Sequence, residues 1–98
     1  MIIALDIDET YTEDTTLWDH FIRVAQNKGH EVIVVTMRHE SELDDEYADR
    51  LKEQGLKIYC SARSQKREYM MSLEPKIFVD VWIDDCPEAI CDGSGHHY

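Results

Sequence analysis

Proline and glycine are sparse, at two and four in 98 residues, and no linker, repeat or low-complexity stretch interrupts the chain. Basic side chains are also few. Ten Lys and Arg face 21 Asp and Glu, a net charge of −11, so the average field repels polyanions and anionic membrane surfaces. A general nucleic-acid coat protein is excluded on that ground. Cysteine appears three times, at Cys60, Cys86 and Cys91, an odd count with no CxxC pair. That pattern disfavours a disulfide framework or a zinc knuckle, and the thiols read as reduced, small apolar residues. No apolar run approaches the roughly 18–20 residues of a membrane span, and the opening residues reach Asp6 too early for a signal peptide. A cytoplasmic location without membrane attachment is expected.

What is present is a globular composition, 43% hydrophobic and 32% charged, at a length that holds one domain. The expected domain covers residues 1–92, with 93–98 as a flexible tail. A core of this size has little room for polar residues without a purpose.

Residues 2–7 form an apolar run broken only by Asp6, as in a strand covered on both faces. Leu17, Trp18, Phe21, Ile22 and Ala25 follow at helical spacing, with Thr16 and Asp19 as the expected N-terminal cap and Gly29 as the stop. Val32–Val35 is a second β-branched run ending at Thr36. Ser41 is the expected cap of a second helix carrying Leu43, Tyr47, Ala48 and Leu51, which Gly55 ends. Residues 56–60 read as a short strand that Lys57 marks as an edge, 64–73 as a third helix stopped by Pro75, and 79–83 as the region of the last strand. Pro87 is placed where a further helix can start. Strands alternating with helices at this spacing imply an α/β fold: right-handed crossovers, a parallel sheet and helices on both faces.

In such sheets the ligand crevice lies beyond the carboxyl ends of the strands. Those ends carry Asp6 and Asp8, then Thr36, then Asp84 and Asp85. Any one of these alone reads as a helix cap or turn residue, but four neighbouring carboxylates repel one another unless a cation shares the site. Hard oxygen ligands with few positions imposed by protein select Mg²⁺. Asp6 and Asp8 can serve one site only if the chain curls between them, and residues 9–12 offer that loop. Their spacing suits one carboxylate that attacks and one that moves a proton. Lys66 is the best-placed ammonium, with Lys76 as the competing choice.

As an ordered set, ALDIDET, VVTMR, Lys66 and VWIDDCPE resemble the four motifs of the haloacid dehalogenase superfamily of phosphohydrolases, across about residues 1–90. The resemblance implies a Rossmannoid three-layer core whose mostly parallel sheet has four or five strands in the order 3-2-1-4. It implies Asp6 as nucleophile forming an aspartyl-phosphate, and Asp8 as the acid that protonates the leaving group and then activates water. Thr36 and Lys66 would hold phosphoryl oxygens and Thr10 would set the loop. Asp6, the Asp8 backbone carbonyl and one of Asp84 and Asp85, with Asp85 favoured, would bind Mg²⁺. Glu9 stands where many relatives have Gly, and the chain is too short for a cap domain.

An open site of this kind implies a large substrate or a homo-oligomeric copy covering it. The IDDCPE segment also resembles the nucleotidase branch, so a nucleotide is the first substrate expected, ahead of a phosphorylated macromolecule. Arg38, Arg63, Lys66 and Arg67 would form a local basic rim, and Tyr11, in the flap, is the aromatic expected to touch substrate. A non-catalytic Mg²⁺- and phosphate-binding module with a protein partner is the alternative. A phosphoacceptor receiver domain fits less well, because Ile58, Tyr59 and Cys60 supply no aspartate at the end of the third strand.

Overall fold

The computed structural model describes residues 1–91, so the expected tail at 93–98 lies outside the described residues. Four strands, β1 (Ile2–Leu5), β2 (Glu31–Thr36), β3 (Ile58–Cys60) and β4 (Val81–Ile83), form one all-parallel sheet in the order β3-β2-β1-β4. This is the expected order. The two most apolar strands occupy the middle because only there are both faces covered. β3, preceded by the exposed Lys57, lies at one edge and β4 at the other.

Alternation along the strands divides the core in two. Ile3 and Leu5 of β1 and Val32 and Val34 of β2 join Ile22, Ala25 and Leu51 on one face, beneath α1 (Thr15–Asn27) and α2 (Glu46–Glu53). Ala4, Ile33 and Val35 face the other way and meet Met70 of α3 (Lys66–Ser72), with Tyr59, Tyr69 and Trp82 packed around them. Three layers result.

Both glycine stops hold. Gly29 and Gly55 take φ of 87° and 83°, the left-handed conformation a side chain resists. Each is followed by an N–H that returns five residues, His30 to the Ala25 carbonyl and Leu56 to that of Leu51, which closes a Schellman motif on each helix.

The helix starts differ from expectation. Asp14, not Thr16 or Asp19, caps α1, its carboxylate accepting the Leu17 N–H at 3.0 Å. Asp19 is drawn instead to Tyr11, Arg50 and Gln54. Ser41 caps nothing; it lies in a 3₁₀ turn (Glu40–Glu42), and α2 begins later, capped by Asp45 through the Ala48 N–H at 2.9 Å. The delay leaves Leu43 packed on the core from outside the helix. The helix expected from Pro87 is a single 3₁₀ turn (Pro87–Ala89) among the described residues.

Candidate functional site

The register Leu5↔Ile83 between β1 and β4 brings both strands to an end side by side, and the Asp6 N–H continues the ladder to the Ile83 carbonyl at 3.0 Å. Asp6 therefore stands against Asp84 and Asp85. Oxygens of these three carboxylates lie within 4.8 Å of one another. Lys66, the first residue of α3, reaches them from the opposite layer. Its Nζ donates to Asp6 Oδ1 at 2.8 Å and to Asp84 Oδ2, although the residue is 1% exposed. Lys76 is exposed and has no part in the cluster. The second oxygen of Asp84 accepts the Cys86 N–H at 2.9 Å.

Thr10 closes the cluster from the loop after β1. Its hydroxyl lies 3.2 Å from Asp85 Oδ1 and 3.5 Å from Asp6 Oδ2, so it bridges the two acids. The loop is shaped by Thr10 and Thr12 N–H groups returning to the Ile7 carbonyl, at 3.3 and 3.1 Å. Glu9 takes φ 62°, a conformation that costs a residue with a Cβ about 1–2 kcal/mol. The expected loop at residues 9–12 is thus present, but it does not bring the Asp8 side chain to the cluster.

Burial dominates at Asp6 and pushes its carboxyl up to about 6, even though the hydrogen bond and charge of Lys66 pull it down. Burial is also the largest influence on Asp85 and pushes it up. Hydrogen bonds from Asp6, Thr10 and its own backbone amide together outweigh this, and Asp85 sits below the ordinary carboxylate range. Of these two acids Asp6 is the first to take up a proton as pH falls.

Asp8 lies outside this group of carboxylates. Its side chain is 57% exposed and turns to Arg38, whose Nε and Nη2 donate to its two oxygens at 3.0 and 2.8 Å. The hydrogen bonds and charge of Arg38 hold Asp8 below the ordinary range. Arg38 is itself buried. It pairs with Asp45 at 3.0 Å and donates to the Glu42 carbonyl, so it is neither an open rim residue nor a solvated one. Arg63 is likewise engaged, with Glu42. Of the basic rim expected from sequence, Arg38, Arg63 and Lys66 are taken up by ion pairs, and Arg67 is exposed. Thr36, 1% exposed at the end of β2, accepts the Arg38 N–H at 3.2 Å.

Tyr11 is a correction. It is fully buried in the core under α1 and α2, its hydroxyl donating to Asp19 Oδ1 at 2.5 Å, and that burial with Asp19 pushes it up to about 12. The flap's aromatic ring points inward because a 3₁₀ turn (Tyr11–Glu13) rotates it onto the sheet. Tyr69 packs in the second core, and His39 caps the turn at Glu40–Glu42.

Sequence reasoning missed Asp45 and the surface beside the acids. The signal for Asp45 was its place just before the helical run, where an N-cap belongs. Beside Thr10, Asp84 and Asp85 opens a shallow cleft of about 380 Å³, floored by Leu17, Trp18 and Ile83. Nothing in the periodicity of α1 marks Leu17 as solvent-facing. No family model, curated protein or solved structure matches this chain.

Proposed function

We propose that the chain is an Mg²⁺-dependent phosphomonoesterase that works through an aspartyl-phosphate on Asp6. One observation carries the proposal: a buried carboxylate at the end of the central strand is clamped by a buried lysine and flanked by two more carboxylates. A purely structural site would pair each acid with a base. Here Lys66 serves both Asp6 and Asp84, and Asp85 is paired with no base among the described residues.

The donor set fits a hard divalent cation. Asp6 Oδ2 and the carboxylate of Asp85 meet the Thr10 hydroxyl and each other but no further base, whereas Lys66 and the Cys86 N–H occupy Asp84. Asp6 and Asp85 would therefore hold Mg²⁺, which when bound neutralises phosphoryl oxygens and keeps Asp6 ionised. Asp6 attacks phosphorus, an O–P bond forms, and the ester P–O bond breaks with the leaving oxygen taking a proton. Water then attacks the aspartyl-phosphate and releases phosphate. Lys66 steadies Asp6 and meets the charge that grows on the transferring group. In the acid role Asp8 would part from Arg38, take up a proton from solvent and pass it to the leaving oxygen. The carboxylate so formed would then take the proton of the attacking water as the bond from Asp6 oxygen to phosphorus breaks.

The grip of Arg38 on Asp8 favours a second function. If that pair persists with ligand bound, no acid is free, and the same pocket is a Mg²⁺- and phosphate-binding module with a protein partner. Phosphate release from nucleotide, sugar and aryl phosphates, with and without Mg²⁺, separates the two. Turnover that requires Mg²⁺ and vanishes in Asp6→Asn supports the esterase. Folded protein that is stabilised by phosphate only with Mg²⁺, yet turns over nothing, supports the module.

A further inference from the structure

We infer that the cleft beside the acid cluster is the leaving-group subsite, built for a phosphate monoester whose leaving group presents an apolar ring and carries no second negative charge. The inference rests on Asp6 receiving the phosphoryl group, and it adds the substrate class. The cleft begins at the cluster itself, since Asp84, Asp85 and Thr10 form one of its walls. A group esterified to a phosphoryl centre at Asp6 has this cleft directly beside it.

Its floor is apolar. Leu17 is 53% exposed on the first turn of α1, while its neighbours Trp18 and Phe21 pack on the core. Trp18 is held by an edge-to-face contact with Phe21, with ring centroids 5.8 Å apart, so the indole wall is fixed before any ligand arrives. Ile83 completes the surface. A rigid flat wall next to an exposed aliphatic side chain suits a ring, which loses little freedom when it stacks there.

The rim selects by charge. Glu9, Glu13 and Asp14 join Asp84 and Asp85 around the opening, and no Lys or Arg is among the described residues that line it. Lys66 is turned inward to Asp6 and Asp84. With Asp84 paired to Lys66 and Asp85 in the proposed metal site, the remaining rim charge is that of Glu9, Glu13 and Asp14, which opposes a leaving group with a carboxylate or a further phosphate and draws in an ammonium. The neutral nucleoside expelled from a nucleoside monophosphate passes this filter; the anionic nucleotide expelled from a nucleoside diphosphate does not.

The test compares O-phosphotyramine, phenyl phosphate and 4-carboxyphenyl phosphate, three aryl esters that differ in leaving-group charge, with ethyl phosphate as the ester lacking a ring. Binding is read from Trp18 fluorescence with Mg²⁺ in Asp6→Asn, Trp82→Phe protein, and turnover in parallel with Asp6 intact. The expected order is ammonium, neutral, carboxylate, with at least about fivefold between the extremes in both Kd and kcat/KM at low salt, shrinking as salt rises. Glu13→Gln narrows the spread, and Leu17→Ser lowers the preference for phenyl over ethyl phosphate. Equal affinity across the three charges, or a ring preference indifferent to Leu17, overturns the inference. Absence of turnover with the binding order intact overturns the esterase instead.

Discussion

Lys66 Nζ lies 2.8 Å from Asp6 Oδ1, and the two residues, sixty positions apart, are 1% and 7% exposed. The pair joins the first turn of α3 to the end of the central strand, across two layers of the fold. Taking both charges out of water is costly, and the arrangement holds because Asp84 shares the ammonium.

Lys66→Met leaves Asp6 and Asp84 buried without a counter-charge, and should destabilise the Mg²⁺-free protein by about 3 kcal/mol at neutral pH. Denaturant unfolding measures the loss. Mg²⁺ should restore part of it by taking over the role of the ammonium, and the loss should be smaller at pH 5, where Asp6 accepts a proton.

Stability in the absence of metal should fall as pH rises from about 4 to 6. The Asp6 carboxyl titrates near 6 in the fold against 3.8 in the unfolded chain, so within this window the folded state binds the extra proton. Its contribution is complete below 3.8 and gone above about 6, a swing of up to ~3 kcal/mol. Asp8, held low by Arg38, has the opposite sign and loses its share as pH falls through its own folded value. Asp6→Asn should remove the decline, and saturating Mg²⁺ should flatten it by competing with the proton. Unfolding curves at half-unit pH steps, with and without Mg²⁺, check both.

Tyr11→Phe removes the hydroxyl that donates to Asp19 and should cost about 1 kcal/mol, since the ring stays in the core while a half-buried acceptor loses a partner. Gln54 and Arg50 still hold Asp19, which limits the loss. Turnover should be unaffected, because Tyr11 faces away from the acids; a raised KM would return it to the substrate side.

The sheet was legible because β1 and β2 are too apolar to leave a face in water, and the crossover rule then fixes how they lie. Asp6, Lys66, Asp84 and Asp85 were legible for a related reason, as charges placed where the strand pattern stops. Side-chain direction was not. Tyr11 and Asp8 both lie in the loop after β1, and whether each points into the core, to Arg38 or to the acids depends on the left-handed turn at Glu9 and the 3₁₀ turn after it. Three to five residues of irregular backbone set that outcome, and no periodicity records it. The caps at Asp14 and Asp45 were misplaced because several Ser, Thr and Asp compete within each start, and the choice among them is made by tertiary partners such as Arg38.

The central claim is that Asp6 carries the phosphoryl group. Rapid mixing with a phosphate ester and Mg²⁺, followed by quenching and borohydride reduction, converts an aspartyl-phosphate to homoserine that peptide mass spectrometry can locate. Homoserine at position 6, formed only when ester and Mg²⁺ are both present, is the predicted result. Its absence during measurable turnover, or its appearance at Asp8, Asp84 or Asp85, would contradict the account.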